Sequence, residues 1–174
     1  MRIGRTQSQR LDYLSEEEAE ALLKRAWYKH PHMVGFCLCG LYSGGRPGEI
    51  LALTRDDVRL GGHPSITYSH RKGKDGLVRT RTIDMHPKVV NWIIMHTPGL
   101  GHLIRDEKGR PYDWGAVGQR FYKAFLPLVS DAGLRHISPY VLRHTFATRL
   151  RWNGTELDEV RELLGHASID ESMI

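Results

Sequence analysis

The chain has 174 residues, 40% of them apolar and 26% charged, with a formal net charge of +5. That length suits one domain with a proper core, and the composition is that of an ordinary soluble globular protein. The charge favours an anionic partner such as nucleic acid. No apolar run approaches the ~18 residues that a membrane span needs. The basic opening MRIGRTQSQR lacks the apolar stretch of a secretory signal.

Residues 1–13 are polar and basic and read as a linker into a domain that occupies 14–174. Ser15 opens the first helix. Ser15 and Glu18 have capping-box spacing with Leu14 available as a staple, and Ala21, Leu22 and Ala26 turn the helix inward. A second, apolar helix is predicted over 32–43. Its two cysteines, Cys37 and Cys39, point about 200° apart on a helix. They read as buried free thiols in a reducing, cytoplasmic setting, with neither a disulfide nor a shared metal ion between them. Gly44-Gly45 ends this helix, and Pro47 suits the first turn of a short third helix through Leu53.

After Gly61-Gly62 the texture changes. Segments 65–70 and 77–85 are rich in Thr, Ile, Val and Tyr and flank the turn-like 72–76, which predicts a hairpin; Val58 ends a third strand of the same sheet. Helices are predicted at about 86–96, 113–130, 139–153 and 155–164, with a last piece from 168 and a turn at 106–112. Strands confined to one stretch and helices elsewhere give an α+β fold, mostly α, with a small three-stranded antiparallel sheet.

Three places carry possible chemistry. Arg46 follows the Gly-Gly break at a helix start, where an arginine can hold a phosphate with help from helical N–H groups, or can simply be solvated. Glu49, three residues on, is placed to orient it or to pair with it. In SPYVLRHTFATRL, Tyr140 and Arg143 are three apart and project from one face, while Leu142, Phe146 and Leu150 form an apolar stripe. His144 is turned about 100° away from Arg143. Finally, Gly165 reads as the residue that ends a helix and holds His166 at a fixed bend.

Taken together, GGRPGE, YVLRHTFAT and LLGH, in this order, resemble the boxes of the tyrosine recombinases, the family of phage integrases and of the recombinases that resolve chromosome dimers. The resemblance spans 14–174. It implies a catalytic domain in which Arg46 and Arg143 clamp a phosphate, His166 hydrogen-bonds to it, and a hairpin lysine protonates the leaving 5′ oxygen. That lysine is assigned to Lys72, with Lys74 as second choice; Arg71 and Lys74 are expected DNA contacts, and Glu49 supports the site. Where the family usually has histidine, this chain has Tyr140, whose phenol can donate a hydrogen bond but stays neutral near pH 7.

The family's nucleophilic tyrosine would fall at position 175, one beyond Ile174, and a preceding DNA-clamping domain would stand before residue 1. The resemblance therefore implies double-stranded DNA as partner and a homotetramer on two DNA sites for the full-length protein. It implies an inactive monomer for these 174 residues, and neither metal nor cofactor. Two other classes compete. A DNA-binding or regulatory protein that keeps the fold without activity would fit Tyr140 and the absent tyrosine, but not four retained site residues. A metal-dependent nuclease would need a ligand spacing that the scattered histidines do not show.

Overall fold

The computed structural model describes residues 13–72, 77–97, 99–112 and 119–165, and of Arg71, Lys72, Leu77 and Gln119 the backbone alone. Its elements run α1 (Glu16–Lys29), α2 (Val34–Ser43), α3 (Pro47–Ala52), β1 (Val58–Arg59), β2 (Ser65–Lys72), β3 (Leu77–Asp84), α4 (Pro87–His96), α5 (Gln119–Asp131), α6 (Tyr140–Trp152) and α7 (Leu157–Leu164), with short 3-10 turns before α2 and before β1. The expected α+β class and its three-stranded antiparallel sheet, in the order β1-β2-β3, are present. Residues 1–12 of the expected linker 1–13, the first residues of the predicted 113–130 helix and the expected piece from 168 lie outside the described residues.

The expected capping box is formed. Ser15 Oγ accepts the Glu18 N–H and a Glu18 carboxylate oxygen accepts the Ser15 N–H, so two orphan donors at the start of α1 are satisfied. One residue earlier, the Leu14 N–H donates to Thr145 Oγ1 at 2.9 Å, tying the domain's entrance to α6.

The apolar helix α2 is buried along nearly its whole length and is the hub of the core. On one side Phe36 meets Phe121 and Phe125 of α5, with ring centroids 4.4 and 5.9 Å apart. On another side Gly40 lets α6 come close: a Cβ at that position would lie 2.7 Å from the Leu142 Cβ. Cys37 and Cys39 are free and buried, and burial pushes both thiols up, Cys39 to about 12, so neither ionises near neutrality.

The β2–β3 ladder pairs Ser65 with Asp84 at one end and Lys72 with Leu77 at the other. Its inward face carries Ile66 and Tyr68 from β2 and Ile83 from β3. No helix among the described residues is long and apolar enough to cross a membrane.

Candidate active site: three arginines around one carboxylate

The site begins where α2 stops. Gly44 ends the helix in the left-handed conformation, φ 62°, and a Cβ there would lie 2.3 Å from the Phe146 ring, so glycine is required twice over. The turn delivers Arg46 immediately before Pro47. A residue preceding proline is forced toward extended backbone, and Arg46 has φ −66° and ψ 148°. Pro47 then starts α3, where its missing N–H costs nothing.

Glu49 lies one turn into α3 with its side chain 3% exposed. Oε2 accepts the Arg46 backbone N–H at 2.8 Å, and Oε1 accepts Arg46 Nη1 at 2.8 Å. The same two oxygens accept Arg81 Nη1 at 2.9 Å and Arg81 Nη2 at 2.6 Å. Burial alone would raise this carboxyl, but hydrogen bonds and charge from Arg81, with further bonds from Arg46, hold it at about 2. Glu49 therefore stays an anion at any physiological pH.

Arg143 approaches from α6 and is 4% exposed. Its Nη1 donates to the Gly44 carbonyl and its Nη2 to the Leu164 carbonyl, each at 2.6 Å. Arg46 Nη2 reaches the next carbonyl, Gly165, at 3.4 Å. Both guanidiniums thus converge on the C-terminus of α7, whose last carbonyls lack helical partners and carry the negative end of the helix dipole. Burial lowers the Arg143 pKa first, and repulsion from Arg46 and Arg81 lowers it further, to about 9. It remains charged near pH 7, in a cluster of three cations and one anion.

The two arginines picked out from sequence lie together with Glu49. Tyr140 stands on the first turn of α6, 40% exposed, within electrostatic reach of Arg143 and Tyr122. Arg71 and Lys72 close the β2–β3 ladder opposite Val78 and Leu77. Lys74 and His166 lie outside the described residues; the chain leaves them at Gly165, against Arg46 and Arg81.

Arg81 escaped the sequence reading. Its signal was the two-residue alternation of β3, which places Arg81 on the same face as Ile83 and therefore inward. An arginine on the core face of a strand needs a buried acid, and the nearest box supplied Glu49. Among the described residues no group of three or more His, Cys, Asp or Glu is placed to hold a metal ion.

Comparison with known proteins shows the family. The model of the phage integrase family matches residues 12–174. The chain belongs to that family. Among its phage integrase relatives, the tyrosine recombinase XerD of Halalkalibacterium halodurans is 30% identical over 173 residues, covering 92% of this chain and 55% of the relative. The XerD of Listeria monocytogenes is 43% identical over 143 residues, covering 77% of this chain and 46% of the relative. The chain thus spans about half the length of the curated family members it matches. In structure it resembles the XerA recombinase, with a TM-score of 0.74 at 25% identity over 98% of this chain and 60% of that one. The catalytic domain of bacteriophage HP1 integrase shares the fold at a TM-score of 0.69 and 24% identity, covering 92% of this chain and 84% of that domain.

Proposed function

We propose that this chain is the catalytic part of a site-specific DNA recombinase that cuts and rejoins strands through a covalent 3′ phosphotyrosine. The observation that carries the reading is the convergence of Arg46 and Arg143, far apart in sequence, on the C-terminus of α7. Two permanently charged, forked guanidiniums suit the non-bridging oxygens of a phosphodiester, on which charge builds in the transition state. XerH, 26% identical with a TM-score of 0.63 over 92% of this chain and 49% of that one, has been solved bound to its difH substrate before cleavage. That supports duplex DNA as the partner here.

In this reading the phenolate of a tyrosine at position 175 attacks phosphorus. The P–O bond to the 5′ oxygen breaks, and Lys72, with Lys74 as second choice, gives that oxygen its proton. His166 and Tyr140 donate hydrogen bonds to the phosphate, Glu49 holds Arg46, and Arg71 and Lys74 touch DNA from the hairpin. The phosphotyrosine conserves the bond energy, so resealing by the reverse displacement needs no nucleotide cofactor. The 174 residues alone supply no tyrosine at the attacking position and form no adduct. They are monomeric, whereas the whole protein, with a clamping domain before residue 1, works as a tetramer on two DNA sites.

The test is Arg143→Lys in a protein extended through a tyrosine at position 175. A lysine keeps the charge but cannot fork between carbonyls and phosphate, so single-turnover cleavage falls by about 10²–10³-fold while duplex binding stays within a few-fold. Cleavage at the wild-type rate would remove the clamp from the mechanism.

A further inference from the structure

We infer that Arg81 is a positioning residue for strand cleavage: through its forked bond to Glu49 it fixes the Arg46 guanidinium, and it ties the hairpin to the turn at the end of α7. The inference rests on the recombinase reading of the site. Arg46, at the start of α3, and Arg81, on β3, grip the same carboxylate, so each holds the group that holds the other. Arg81 does not itself reach for a phosphate. Both of its terminal nitrogens donate to Glu49, its Nε is buried without a hydrogen-bond partner, and its side chain is 11% exposed.

Its surroundings leave the guanidinium little freedom. Below it lies the fully buried Tyr68 ring, 4.9 Å from the Arg81 guanidinium carbon, whose hydroxyl meets Ser43 Oγ at 2.6 Å. On another side a Cβ at Gly165 would stand 3.0 Å from Arg81 Cδ, so the bend that leads to His166 is laid directly on the arginine's stem. Arg81 is also opposite Tyr68 in the ladder that ends at Lys72. One side chain thereby joins the strand pair that carries Lys72, the carboxylate that holds Arg46, and Gly165 at the end of α7, the residue before His166 in sequence. A lysine could supply the charge there but not the fork.

The groups that face Glu49 are Arg46 from the turn before α3, Arg81 from β3, Arg143 from α6 and Tyr68 from β2. Removing Arg81 takes away two of the carboxylate's four donors, so Glu49 titrates at higher pH and releases Arg46 when protonated. In the protein extended through a tyrosine at position 175, Arg81→Gln is expected to slow single-turnover cleavage of a nicked suicide duplex at least ~10-fold, the scale of a weakened preorganised donor. Duplex affinity stays within about twofold, since no phosphate contact is lost. The ratio of variant to wild-type rate falls further as pH drops through the ordinary carboxylate range. Arg81→Lys restores part of the rate and keeps that ratio level.

A second readout needs no cleavage. In ¹⁵N-arginine spectra of the 174-residue chain, the Arg46 guanidinium signals, restricted by Glu49 in the wild type, average in Arg81→Gln. Unchanged Arg46 signals, or a lower melting temperature with a level rate ratio and unchanged signals, would make Arg81 a packing residue and overturn the inference. If the wild-type extended protein forms no adduct, the recombinase reading fails instead, and the Arg46 signals still decide the role of Arg81.

Discussion

The two ends of α2 are built on opposite principles. Around Phe36 the helix is surrounded by rings and aliphatic chains, and every contact lowers the free energy of the fold without needing a particular partner. Just beyond Ser43 the interior holds three guanidiniums and one carboxylate, a set that burial and mutual repulsion both penalise. Glycines press the chain tightly there, and the excess positive charge is offset only in part by Glu49 and by the carbonyls ending α7. The contrast teaches where each property resides. The aromatic end provides stability, and the charged end is held in an arrangement that an incoming phosphate would relieve.

The comparison is challenged most strongly by Phe125→Ala. The ring is fully buried between Phe36 and Phe121, so its loss should cost about 3–5 kcal/mol in urea unfolding. A cost under about 1 kcal/mol would show that the aromatic end is not the source of stability.

Next in size is the acid response of the charged end. Glu49 has a folded pKa of about 2 against an ordinary 4.5, so the folded state binds fewer protons than the unfolded chain between those values. The stability it contributes is present above pH 4.5 and drains away as pH falls toward 2, on the order of 3 kcal/mol in all. Unfolding free energies measured across that window should fall more steeply with acid in the wild type than in Glu49→Gln, since Asp106 and Asp131 are depressed in both. Equal slopes would mean that the carboxylate is not specially held.

The smallest expected effect sharpens the boundary between the two ends. Ser15→Ala removes the cap of α1 and should cost about 1 kcal/mol. Because Leu14 next door is bonded to Thr145, one turn from Val141 on α6, hydrogen exchange should rise at the start of α1 and not at Arg143. Faster exchange at both would join the entrance to the site.

Much of this was legible in the chain itself. Ser15 with Glu18, Gly44 before Pro47, and the alternation around Tyr68 each encode a local geometry that short-range sterics and hydrogen bonding dictate, and the helices and strands they predict are present. The pairing of Arg46 with Glu49 could also be read, because both sit on one helical turn. Arg81 could not be found by looking along a helix. Its partner lies on a different element, and the bond exists only because the sheet packs beside α3. The stretch LVRTRTID looks like a basic strand until its inward face is counted. Nor does the sequence disclose that Arg143 is spent on two backbone carbonyls, since carbonyls carry no residue signature.

The claim that the arginine cluster serves strand cleavage is tested most directly by mass spectrometry of a trapped reaction. The chain, extended through a tyrosine at position 175, is incubated with a nicked suicide duplex. The account predicts one covalent 3′ phosphotyrosine, on the tyrosine at position 175, lost when Arg143 is replaced by alanine and absent from the 174-residue chain. An adduct on Tyr140, or hydrolysis of the duplex with no protein-bound DNA, would contradict it.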